Sequence, residues 1–197
     1  MSVHTITTIK DIPVLFFKSP QEWEGWLDKN HDKIASVWVQ FYKKASGVGG
    51  LTYHPAVEVA LCYGWIDSLV NRFDEESYIQ KFSPRKSKSI WSKINTEHIK
   101  RLTKEGRMKP SGLAAVEEAK KNGNWDRAYS GPATIEMPED FKKVLEAHPK
   151  AKAFYETLNK TNKYYFLFSI TTAKRPETRE RRIKSSVEKL ETQTKVY

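Results

Sequence analysis

Between Cys62 and Asn95 the chain reads CYGWIDSLVNRFDEESYIQKFSPRKSKSIWSKIN, and this stretch holds the side chains best suited to a charged ligand. Asp67 follows the apolar pair Trp65-Ile66, just after Gly64. A carboxylate beside apolar neighbours must be solvated, capped or paired, because burying it alone is costly. Asp67 is therefore the candidate acid or base, should the chain perform chemistry. Arg85 and Lys86 follow Pro84, which ends a strand ladder and turns the two cations into a loop. Guanidinium forks match phosphate or carboxylate. Trp91, Ser92 and Asn95 set polar groups beside an aromatic face on which a base or ring can stack. Trp65, Arg85, Lys86, Trp91, Ser92 and Asn95 are thus candidate ligand contacts. A purely structural account is equally open: Asp67 pairs with Arg85 to lock a sheet to helices, and Trp91 is core.

A second basic cluster holds Lys174, Arg175 and Arg179, followed by Arg181 and Arg182. Pro176 at a first helical position leaves backbone N–H groups free, and the helix dipole there favours negative charge. Arg175 and Arg179 would converge on such an anion. Glu177 and Arg181, four residues apart, offer the alternative that these charges only stabilise the helix.

Other chemical signatures are missing. No phosphate-loop GxxxxGK[ST], no GxGxxG and no GxSxG occurs. The five histidines, at 4, 31, 54, 98 and 148, do not pair at helical ligand spacing, so neither a metal site nor a cofactor is expected. The acidic pairs Glu117-Glu118 and Glu139-Asp140 fall on helix surfaces or starts, where they serve solvation and the helix dipole. Cys62 is the single cysteine. It excludes an internal disulfide, suits a reducing compartment, and in its apolar run reads as a small buried hydrophobe.

The elements that must position these residues follow from pattern. Val14–Phe17 and the alternating Val37–Tyr42 read as strands, as do Ser68–Phe73 and Tyr78–Phe82 around a turn at 74–77. Met1–Lys10 reads as a frayed start or an edge strand. Ser19-Pro20-Gln21-Glu22 announces a helix whose apolar face is Trp23, Trp26 and Leu27. Thr52 and Pro55 open a second, buried helix that Gly64 ends. Further helices are expected from Asn95, from Pro110 to Asn122, and at about 138–147, 149–158, 160–173 and 176–191, after a linker over 131–138. The fold class is α+β: a small antiparallel sheet with helices in the N-terminal half (1–90) and a helical C-terminal half (91–197), expected as one compact unit.

The chain has 197 residues and a formal net charge of +10. Ten Lys or Arg fall between Lys81 and Lys109, against only Glu97 and Glu105. That balance favours anionic partners, a small anionic ligand or nucleic acid, although solvated surface charge explains it equally well. No apolar run is long enough to span a membrane and no leader signature follows Met1, so a cytoplasmic location is expected.

The blocks Glu22-Trp23 with Trp26-Leu27, Val37-Trp38 with Tyr42-Lys43-Lys44, and Leu51-Thr52-Tyr53 form an ordered series. It continues through residues 60–67 (ALCYGWID), Phe82 with Pro84-Arg85, residues 91–95 (WSKIN) and 106–108 (GRM), and closes at residues 173–179 (AKRPETR). In that order the chain resembles the YdeI/OmpD-associated family, also called bacteriocin-protection proteins. The resemblance runs from about residue 14 to 190. Members often carry Gly at Ser68 and Lys at Asn71. The family label implies a link to envelope stress or bacteriocin protection, and carries no reaction, cofactor or catalytic set.

Three functions compete. A small anionic or phosphorylated ligand bound by the residues above requires Asp67, Arg85 and Trp91 to meet in one pocket. Nucleic-acid binding through 81–109 requires a continuous positive face. An interaction or stress-protection role without catalysis predicts an exposed apolar patch and no ordered pocket.

Overall fold

The computed structural model describes residues 5–194, and the chain divides into two compact units. The first is built from the chain up to Ser89 together with Asn95–Asp126. The second is built from Ile90–Ile94 and the chain from Arg127 onward. The helices of 95–126 therefore group with the sheet and not with the C-terminal helices.

The first unit holds strands β1 (Thr5–Ile9), β2 (Ile12–Phe16), β3 (Val37–Tyr42), β4 (Trp65–Arg72) and β5 (Ser77–Pro84). Its helices are α1 (Pro20–Asn30), α2 (Tyr53–Cys62), α3 (Lys93–Lys104, whose first two residues belong to the second unit) and α4 (Pro110–Lys121). The strands form one sheet in the order β1-β2-β3-β5-β4. The expected antiparallel set is β3, β5 and β4. The β1–β2 hairpin extends it, with β2 parallel to β3. Parallel neighbours need a crossover, and α1 supplies it. The hairpin turns on Lys10 and Asp11, both at positive φ (50° and 61°), as a tight two-residue turn requires.

Helix α1 begins as its sequence dictates. Ser19 Oγ accepts a hydrogen bond from the Glu22 N–H at 3.2 Å, and Glu22 Oε2 accepts one from the Lys18 N–H at 2.8 Å. Trp23 and Leu27 are buried beneath it, and Trp23 Nε1 donates to the Ala56 carbonyl of α2 at 3.1 Å. Along β3 the side chains alternate. Phe41 and the cross-strand Phe82 meet Tyr53 and Trp23 of the helices. Trp38, facing the other way, packs with Val14 and Ile79.

Three element starts differ from expectation by two residues or more, the first being β2, which begins at Ile12 and not at Val14. Strand β4 begins at Trp65, three residues earlier than the apolar pattern implied. Gly64, at φ 75°, reverses the chain in one residue, so pairing starts immediately after it. Helix α3 begins at Lys93, which places Asn95 inside its first turn and not at its cap.

The second unit contains α5 (Glu139–Glu146), α6 (Pro149–Thr157), α7 (Lys160–Thr171) and α8 (Pro176–Glu191). Pro149 and Pro176 take first helical positions, and Asn159 caps α7 by accepting from the Asn162 N–H at 2.9 Å. Phe141, Leu145, Tyr155, Phe166, Ile170 and Leu190 are central to one core that all four helices share.

Candidate functional site

Asp67 lies on β4 opposite Phe82 of β5, on the sheet face that α2 covers. Its Oδ2 accepts hydrogen bonds from Tyr53 Oη at 2.8 Å and from Gln80 Nε2 at 3.1 Å. Gln80 is buried and also donates to the Ser68 carbonyl. The carboxylate thus ties α2 to β4 and β5, the locking role expected of an Asp67–Arg85 pair, through different partners. Trp65 is 1% exposed, its Nε1 donates to the His31 carbonyl, and its ring packs edge-on against Trp23 and Trp26. It is core.

Arg85 is half-buried; its N–H donates to the Gly64 carbonyl at 2.9 Å, and its Nε and Nη2 are shielded from solvent. Lys86 is exposed beside it. Asn95 belongs to this same unit, half-buried in α3. Trp91 and Ser92 belong to the other unit. There Ser92 bridges to Tyr129, whose N–H donates to the Trp91 carbonyl at 2.9 Å. Trp91 is only 2% exposed, so its ring offers no open face for stacking.

The 81–109 segment is less positive than its sequence. Lys100 pairs with Glu97, Arg101 and Arg107 with Glu58 and Glu105, and Lys109 with Glu24 and Asp28. Four of the ten cations are engaged in ion pairs; Lys100 pairs locally with Glu97, whereas Arg101, Arg107 and Lys109 meet Glu58, Glu24 or Asp28 from distant elements, which the sequence did not reveal.

In the second unit, Lys174 and Arg175 are exposed before α8. Arg179 does not converge with Arg175 on a free anion position. Its Nε and Nη2 grip the two oxygens of Asp140 at 2.5 and 2.8 Å, and Nη1 donates to the Ile170 carbonyl. That hydrogen-bonded cation holds the Asp140 carboxyl below the usual carboxylate range. Arg182 is likewise held by the Ser169 carbonyl and Thr172 Oγ1.

The Asp140–Arg179 pair stands at the edge of a cleft of about 630 Å³ between α5 and α8. Asp140, Val144 and His148 line one wall at four-residue spacing. Pro176, Glu180, Ile183, Val187 and Glu191 line the other at spacings of three and four, with Lys184 and Glu188 beside them. Val144, Pro176, Ile183 and Val187 make the apolar floor, and the charged groups make the rim. Of the cleft's residues, only Arg179 stood among the candidates read from the sequence. The stripes were legible as helical periodicity, but nothing in the chain says that 140–148 packs across from 176–191.

Among the described residues no helix is long and apolar enough to cross a membrane, and no group of three His, Cys, Asp or Glu could hold a metal ion. Residues 15–115 match a family described as a domain of unknown function, DUF8412. Residues 134–193 match the family described as bacteriocin-protection, YdeI or OmpD-associated. The second match contains the whole α5–α8 cleft. No curated protein and no solved structure matches the chain significantly.

Proposed function

Because the chain belongs to the DUF8412 family over residues 15–115 and to the bacteriocin-protection, YdeI- or OmpD-associated family over residues 134–193, we propose that it is a non-catalytic binding protein. Its binding site in this reading is the α5–α8 cleft, and its ligand is amphipathic. One observation carries the reading: a volume of about 630 Å³ over an apolar floor, rimmed by charged groups. That size and lining fit a ligand site, where apolar contact supplies affinity and a few polar groups supply orientation. Sequestration of such a ligand accords with the protective role in the family's description.

A thermal-shift screen of the full chain with apolar dyes and amphipathic molecules tests this. A ligand at 100 times its Kd stabilises the folded state by about 2.7 kcal/mol. Val144→Trp fills the cleft from its half-buried wall and is expected to abolish the shift. Asp67→Asn is expected to leave it intact. The reverse pattern, loss with Asp67→Asn and retention with Val144→Trp, would move the site to the sheet and overturn the reading.

A further inference from the structure

We infer, resting on the cleft reading above, that the occupant of the α5–α8 cleft is a basic amphipathic helix of a partner protein. The shape argues for a helix. The lining of α8 runs along its full 16 residues, about 24 Å at 1.5 Å per residue. A trough between two helices, walled by stripes at three- and four-residue spacing, accepts the side-chain ridge of a third.

The charge argues for a basic one. Glu180, Glu188 and Glu191 form no ion pair with any described residue, and Arg179 is already spent on Asp140. Lys184 is the remaining cation of the rim, so this patch is acidic on a chain of formal charge +10. Glu188 and Glu191 stand in the last turn of α8, where the helix dipole is already negative and a carboxylate is the wrong sign. A cation from a partner relieves that repulsion. His148 also lines the cleft, with its Nδ1 2.8 Å from the Val144 carbonyl, so that Nε2 is the ring nitrogen left for a polar group of the ligand.

The test is fluorescence anisotropy of the full chain with two labelled helical peptides of about fifteen residues, matched to the α8 stripe. Both carry leucines at three- and four-residue spacing, one with lysines and one with glutamates elsewhere. The lysine peptide is expected to bind at least tenfold more tightly. The triple variant E180K/E188K/E191K, altered at rim positions, is expected to remove that preference, and Val144→Trp to abolish lysine-peptide binding. Circular dichroism and the melting temperature verify folding of each variant. Equal binding of the two peptides, or no effect of the triple variant, overturns the inference. If apolar dyes occupy the cleft but neither peptide binds, the cleft stands and the helical occupant falls. If nothing binds, both fall. A concentration-dependent dimer in sedimentation that Val144→Trp dissolves assigns the cleft to a second copy and overturns the partner helix.

Discussion

Cys62 is 3% exposed at the end of α2, and burial pushes its thiol up to about 11. An unfolded thiol ionises at about 8.5–9, so between those values the native state holds a proton that the unfolded chain has lost. The contribution is complete below about pH 8.5 and is lost as the pH rises toward 11. Tyr155, raised to about 12 by its own burial, acts in the same direction at higher pH. Two outcomes are expected. Labelling by a thiol reagent at pH 8 follows global unfolding, because the buried group is both inaccessible and protonated. Urea midpoints of Cys62→Ala fall less than those of the parent between pH 8 and pH 10.5. Rapid labelling in native buffer would show that the burial argument is wrong.

At the scale of elements, α4 approaches the end of α2 closely at Gly112. A Cβ built on Gly112 would stand 2.1 Å from the Cys62 carbonyl oxygen and 2.7 Å from its carbon. In an open helix Gly→Ala gains up to about 1 kcal/mol from backbone entropy. Here the obstacle is backbone, which cannot rotate away. Overpacking of this kind costs about 1–3 kcal/mol or more, so the sign reverses. Gly112→Ala is expected to lower stability by about 3 kcal/mol in urea unfolding, while Gly25→Ala, with nothing within 4 Å, is neutral or stabilising. A Gly112→Ala protein as stable as the parent would mean that the helices separate freely.

For the whole molecule, net charge is the property most easily over-read. Ten cations across 81–109 would give a salt slope near −9 on duplex DNA, at about −0.9 per phosphate neutralised. Four of them already sit in ion pairs with carboxylates of the same unit. The slope expected from this segment is therefore no steeper than about −5. Release from duplex DNA is expected at physiological ionic strength, measured by anisotropy across a salt series. Tight binding at 150 mM salt would restore the nucleic-acid reading.

Trp65 and Trp91 are core although their setting suggested ligand contacts, but the α+β class, most of the helices and strands and the buried face of α1 follow from the amino-acid sequence alone. Those are local properties. Proline at helix starts, glycine at Gly64, the Ser19–Glu22 cap and period-two alternation in β3 act over a few residues and are legible there. Which charges are engaged, by contrast, depends on the packing of distant segments. Arg179 read as an anion clamp until Asp140, 39 residues away, took its guanidinium. Asp67 read as a partner for Arg85, but Tyr53 and Gln80 hold it. The cleft between α5 and α8 was equally hidden. Helical spacing shows that a stripe exists, but which stripe faces which depends on packing between segments distant along the chain.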